Sequence, residues 1–246
     1  GLQITSAAIV VSIVPLETVF FDLDGTLVDA RDAAWEIFAE TNDLYELGID
    51  TQDKFLALSE TNIFSALSQC CADEVQAKSV IDHFMDNIVN RYNPPFIPGM
   101  IEIVRQFNKQ ISLAILSSNM SETIRRILAE GGITECFPII MSGDVEPSKT
   151  KAIQSFLDDD NSRISTTVAQ TVSECRSLTG DEVALVTDTV GDVTAALCGG
   201  IRACGVSWGM HNKSKLLDAG AEYVADTPNE LMHWFNEARI SNETRS

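Results

Sequence analysis

Short apolar runs recur along the chain, and between them apolar residues fall at helical spacing. The runs are TVFF at 18–21, ISLAIL at 111–116, PIIM at 138–141, VALVT at 183–187 and IRACGV at 201–206, with EYVA at 222–225 as one more short segment. They are rich in β-branched residues and barely interrupted by polar ones, which predicts strands buried on both faces. Strands alternating with helices predict a parallel sheet with crossover helices, an α/β fold.

The stretch from Arg31 to Tyr92 breaks this alternation. Its apolar positions (Trp35 and Phe38; Phe55 and Leu58; Ile63, Phe64 and Leu67; Val80, Ile81, Phe84 and Ile88) keep helical spacing with no strand-like run, so three or four helices are expected. NPPFIPG at 93–99 ends the stretch, because paired prolines cannot continue a helix. The expected division is therefore a core from 1–30 and 96–246, interrupted by a helical cap at 31–95 that covers a cleft. A second irregular segment, 158–182, is expected to be a surface loop with one helix. Its Asp158, Asp159 and Asp160 lack the alternating ligands, central Gly and closing Glu of a calcium loop, so they read as a solvated turn. The run AAIVVSIVPL at 7–16 is too short to span a bilayer and has no charged leader, which predicts an extra strand or a packed tail.

Charge narrows the partners. Among 246 residues, 36 acidic against 17 basic side chains give a net charge of −19, so neither nucleic acid nor an anionic membrane is an expected partner. A small anionic substrate is not excluded, since a few fixed cations or a metal ion reverse a field locally. The six cysteines form no C-x-x-C pair and no zinc-like spacing, which suits a reducing, cytoplasmic setting. Adjacent Cys70 and Cys71 are expected to be two core thiols on a helix.

Candidate chemistry sits where strands end. Val19, Phe20 and Phe21 lead into Asp22 and Asp24, and carboxylates at the end of a buried strand are costly without a purpose. A plain turn would explain LDGT, but three other strand or helix ends echo it. Ser117, Ser118 and Asn119 close LAIL. Lys149 opens a helical pattern after Pro147 and a capping Ser148. Asp188 follows VALVT, with Asp192 four residues on and Gly191 between. In a parallel sheet all these ends share one edge. Asp22, Asp24, Asp188 and Asp192 together cannot stay ionised without a cation, and an all-oxygen set suits Mg²⁺. Ser117, the amides following Asp24 and the Lys149 ammonium would serve the oxygens of a phosphoryl group.

This set resembles the haloacid dehalogenase superfamily of phosphohydrolases: DLDGT, the strand-end LSS, the Lys of SKTKA and the acid pair of TDTVGD, in that order and with a helical insert between the first two. DGTLVDARD, FIPGMIEIV and GVSWGMHN resemble phosphoglycolate phosphatases and their near relatives most. The resemblance implies a Rossmann-like parallel sheet core with an inserted helical cap. It implies a Mg²⁺-dependent phosphatase acting on a small phosphomonoester. Asp22 would be the nucleophile, and Asp24 the acid that protonates the leaving group and then the base that activates water. Mg²⁺ would be held by Asp22, the Asp24 carbonyl and Asp188, with Asp192 assisting. Ser117, Lys149, Gly25, Thr26, Ser118 and Asn119 would contact phosphate.

Three departures stand out. Thr187 occupies a position where the family usually has Gly. Lys151 competes with Lys149. The 158–182 segment is longer than expected. Dehalogenation on the same fold needs neither Asp24 nor the Asp188–Asp192 pair, while a sugar-phosphate mutase would use the same core residues. A phosphate-binding regulatory module of the receiver type would lack the helical insert. Arg31, just after the first motif, reads as an exposed cap residue rather than a steering group for an anion.

Overall fold

The computed structural model describes residues 14–59, 63–159 and 178–240; the amino-terminal run through residue 13 and residues 160–177 of the long irregular segment lie outside the described residues. The described residues form one six-stranded sheet of β1 (Thr18–Phe21), β2 (Ser112–Ser117), β3 (Ile139–Ser142), β4 (Val183–Thr187), β5 (Arg202–Val206) and β6 (Tyr223–Ala225). Every pair is parallel, in the order β3-β2-β1-β4-β5-β6. Each strand lies within one residue of its predicted limits. β1 is central, and the chain leaves it toward β2 and β3 before returning on its other side with β4. That reversal opens a crevice at the carboxyl ends of β1, β2 and β4, where α/β sheets place ligands.

Four helices, α1 (Ala30–Tyr45), α2 (Gln52–Ser59), α3 (Ile63–Gln69) and α4 (Glu74–Arg91), occupy the stretch between β1 and the paired prolines. Asp73 starts α4 by accepting from the Gln76 amide at 2.8 Å, and its buried Val80, Phe84 and Ile88 recur every four residues. Phe84 packs edge-on against Phe38 and Phe55, which stack on each other 4.6 Å apart. Each such ring contributes roughly 1.5–3 kcal/mol on burial. The segments leaving and re-entering the sheet run side by side: the Asp29 amide donates to the Pro95 carbonyl at 2.8 Å and the Ile97 amide to Leu27 at 2.9 Å.

The remaining helices sandwich the sheet. α5 (Met100–Asn108), α6 (Ser121–Glu130) and α10 (Pro228–Arg239) cover one face. α7 (Lys149–Asp159), α8 (Val190–Gly199) and α9 (Lys213–Asp218) cover the other. Successive strand residues point to opposite layers. Phe21 thus meets Phe107, which stacks on Phe235 at 3.7 Å, while Phe20 meets Phe156 at 4.8 Å on the far side. With both layers apolar, the strands have no polar face, as their sequences require.

One expectation is corrected here. Cys70 and Cys71 are not core thiols on a helix: they follow the last residue of α3, Cys70 exposed and Cys71 half-buried, both free. Among the described residues no helix is long and apolar enough to cross a membrane.

Candidate active site

Asp22 leaves β1 one residue beyond its last pair, its amide bonded to the Val186 carbonyl at 3.0 Å, and the residue is only 5% exposed. Lys149 is the first residue of α7, whose start Ser148 caps by accepting from the Lys151 amide at 3.3 Å. The Lys149 ammonium lies 3.0 Å from Asp22 Oδ1 and also donates to Asp192 Oδ2 in the first turn of α8. Burial disfavours that ammonium, but Asp192 and Asp22 more than offset it and hold the charge well beyond the ordinary lysine range. Lys151, two residues on, is exposed.

Asp188 is 2% exposed and tightly enclosed. It accepts from the Thr26 hydroxyl at 3.2 Å and from the Met210 amide at 2.7 Å, and its own carbonyl receives the His211 amide. Gly25, at φ +80°, and Gly209 flank the carboxylate so closely that a β-carbon on either would come within 2.1 and 2.2 Å of Oδ2. The His211 ring accepts at Nδ1 from the Val190 amide at 2.9 Å, tying the 207–212 loop to the start of α8. Trp208 donates to the Thr26 carbonyl, and Arg31 donates to the Trp208 and Gly209 carbonyls. Arg31 is exposed, and its guanidinium joins the start of α1 to this loop.

Asp24 is held through both oxygens. Tyr92, at the end of α4, donates its phenol to Oδ1, and Asn119 Nδ2 donates to Oδ2 at 3.1 Å. The Asn119 amide is oriented by its other end, because Oδ1 accepts from the Met120 amide at 2.8 Å. Ser117 Oγ accepts from the Asn119 amide at 3.1 Å, and Ser118 is exposed with its carbonyl against Gly143.

The structure therefore gathers Asp22, Asp24, Asp188, Asp192, Lys149, Ser117 and Asn119 at one sheet edge. Gly25 and Thr26 are there too, in a different attitude from the one expected. The Gly25 amide donates to Val28, the Thr26 amide to Leu23, and the Thr26 hydroxyl to Asp188, so these donors turn inward rather than toward a phosphate. Tyr92, Gly209 and His211 were not singled out in the sequence. Tyr92 carried only the signal of an aromatic at the helix's end, and GVSWGMHN only its likeness to a family.

Electrostatics follow from burial. Burial raises Asp22 well above the usual carboxylate range; Lys149 opposes this, and Asp192, Asp188 and Asp24 reinforce it. Burial likewise pushes Asp188 up to about 6, with Met210 opposing and Asp192 adding. Asp24 is raised by burial against its bonds from Tyr92 and Asn119. Four carboxylates thus meet one ammonium. Among the described residues no three His, Cys, Asp or Glu side chains alone form a metal cluster. The reason is visible: Asp192 Oδ2 is engaged by Lys149 and by the Thr187 hydroxyl at 2.9 Å, and the Asp24 carboxyl faces Tyr92 and Asn119. The oxygens of Asp22 and Asp188 fit a hard divalent cation completed by a backbone carbonyl and water, whose charge would favour the ionised carboxylates that burial disfavours.

Comparison with known proteins agrees with the geometry. Residues 19–206 match the family model for haloacid dehalogenase-like hydrolases, and the chain belongs to that family. It is 23% identical to the phosphoglycolate phosphatase of Synechococcus elongatus over 88% of this chain and 96% of that protein. It is 28% identical to pyrophosphatase PpaX of Oceanobacillus iheyensis over 52% of this chain and 60% of that one. Among solved structures, a haloacid dehalogenase-like family hydrolase from Streptococcus pneumoniae superposes with a TM-score of 0.72 at 21% identity. That match covers 89% of this chain and 98% of the other.

Proposed function

We propose that this haloacid dehalogenase-like hydrolase, a phosphoric monoester hydrolase, cleaves a small phosphomonoester such as phosphoglycolate through an aspartyl-phosphate on Asp22. The observation that carries the reading is the Lys149 ammonium 3.0 Å from Asp22, beside an Asp24 held by two donors. A carboxylate attacks a phosphate dianion poorly because both are anionic. Lys149 reduces that repulsion, and Ser117 and Asn119 stand at the same edge to receive phosphate oxygens. As Asp22 bonds to phosphorus, the ester P–O bond breaks, its electron pair stays on the ester oxygen, and that oxygen takes the Asp24 proton. Water then attacks phosphorus, returns a proton to Asp24 and releases Asp22 as carboxylate and the phosphate product. General acid–base help of this kind contributes on the order of 10²–10⁴-fold.

The Asp22 and Asp188 carboxylates with the Asp24 carbonyl would hold Mg²⁺, and Asp192 would act from behind Lys149. The ion supplies charge neutralisation and Lewis acidity toward phosphoryl oxygens. In this reading the helices of 31–95 are a cap over the site and set the choice of substrate. The compartment is the cytoplasm, in keeping with the free thiols.

Phosphate release from phosphoglycolate, other small phosphomonoesters and pyrophosphate, measured with Mg²⁺ and with EDTA, tests the proposal. Turnover that needs the metal and favours one monoester supports it. Release that chelator leaves unchanged, or none from any compound, overturns it.

A further inference from the structure

Asp24 must alternate between acid and base, and both tasks need its carboxyl held in one direction. Asn119 holds one oxygen: its own carbonyl oxygen is pinned by the Met120 amide, so it faces Asp24 as a donor. Tyr92 holds the other. Its phenol hydroxyl donates to one lone pair of Oδ1, which leaves the acid's single proton for the ester oxygen.

Tyr92 is also placed with unusual firmness for a residue at a helix end. It is 2% exposed, and its amide closes α4 on the Ile88 carbonyl. Its carbonyl accepts from Arg126 of α6 at 2.6 Å, and the same guanidinium nitrogen reaches the Val89 carbonyl at 3.3 Å. A cation on the core thus holds the last carbonyls of the final helix of the insert, and the phenol is carried 68 residues along the chain to Asp24 Oδ1.

On the phosphatase reading above, we propose that Tyr92 is a positioning residue for the acid–base Asp24, and that it links the seating of the helical insert to the protonation step. Tyr92 acts through Asp24, to which its phenol donates. It holds Oδ1 on one side while Asn119 holds Oδ2, so that the carboxyl presents a fixed direction when the ester oxygen takes its proton and when water returns one.

The test uses Tyr92→Phe, which keeps the ring and its packing, together with a series of esters: an alkyl phosphate, phenyl phosphate and 4-nitrophenyl phosphate. kcat/KM reports the step in which the leaving group departs. An alkoxide needs Asp24's proton, whereas 4-nitrophenolate leaves without it. The expected result is a loss of roughly tenfold to a hundredfold for the alkyl ester, carried by kcat rather than KM, against less than threefold for 4-nitrophenyl phosphate. An equal loss for all three esters, or none, overturns the proposal. A second measurement needs no turnover. With only three tyrosines in the chain, [¹³Cζ]tyrosine NMR identifies Tyr92 by its absence in the Phe variant. Asp24→Asn should shift that resonance more than the other two. A Tyr92 signal indifferent to Asp24→Asn overturns the contact. A wild-type enzyme that hydrolyses none of the esters instead overturns the phosphatase reading, while the NMR result still decides whether Tyr92 holds Asp24.

Discussion

Replacing Asp188 with Asn should stabilise the metal-free protein at neutral pH. Burial pushes the Asp188 carboxyl to about 6 from its ordinary 3.8. At roughly 1.4 kcal/mol per unit, keeping it charged in the fold costs about 3 kcal/mol above that pH. The folded value lies above the unfolded one, so the cost is full above pH 6, shrinks between 6 and 3.8, and vanishes once both states are protonated. An Asn at this position removes the charge and keeps the bonds: its oxygen accepts from the Met210 amide and its NH₂ donates to the Thr26 hydroxyl, which can accept. Urea unfolding followed by circular dichroism in EDTA should therefore show Asp188→Asn more stable than the wild type at pH 7.5, by up to about 3 kcal/mol. The gap should narrow as pH falls toward 4. Taking the difference between the two proteins cancels the relief of the −19 net charge that both share. Mg²⁺ should close most of the gap, stabilising the wild type by about 2.7 kcal/mol at a hundredfold excess over its Kd and the variant far less. A variant less stable than wild type in EDTA at pH 7.5, or a gap that does not change with pH, would refute the reasoning.

Two substitutions probe the same edge from other sides. Asp22→Asn should abolish phosphate release while its circular dichroism spectrum and melting cooperativity stay those of the wild type, since the Asn oxygen still accepts from Lys149; near-normal turnover in a folded variant would rule Asp22 out as nucleophile. Gly25→Ala should cost about 2 kcal/mol or more and reduce turnover, because φ is +80° and the new methyl meets Asp188 at 2.1 Å; Gly48→Ala, at φ +73° with nothing within 4 Å, should cost only about 1 kcal/mol and leave turnover intact. Equal effects in melting and rate assays would show that backbone strain, not enclosure of Asp188, is what Gly25 relieves.

The strands were legible because burial on both faces leaves a mark that one sequence can carry: runs such as VALVT have no polar alternation to confuse with a helix or an exposed edge. The helical insert was legible for the complementary reason, since Val80, Phe84 and Ile88 at steps of four combine with Ile81 and Phe84 at a step of three, a mixture that a strand's period of two does not give. The choice between Lys149 and Lys151 was not legible until the start of α7 was known. Two helical steps turn a side chain by about 200°, so with Lys149 facing the carboxylates Lys151 must face water. The positions of Cys70 and Cys71 were missed by a similar margin, because α3 ends at Gln69 and both thiols fall in the turn beyond it. Residue types had marked the candidate acids, but nothing in DLDGT says that the Thr26 hydroxyl turns toward Asp188. That direction depends on the chain's return through β4, 162 residues later.

Thr187 shows why a departure from a family's pattern has to be judged by contacts. A Gly at that strand end would leave Asp192 with the Lys149 bond alone from this side. The threonine hydroxyl instead donates to Asp192 Oδ2 at 2.9 Å and accepts from the Thr189 amide at 3.3 Å, within the turn that starts α8. Thr189 in turn caps α8 by accepting from the Asp192 amide at 3.2 Å. The two threonines thus hold Asp192 by its side chain and its backbone, and Lys149 lies between that Asp192 and Asp22. A β-branched residue suits the end of a buried strand, so the substitution leaves β4 paired with β5 through Thr187 itself. Its effect falls on the rigidity of the Lys149–Asp192 pair, whose ammonium stands beside Asp22, the carboxylate proposed to attack.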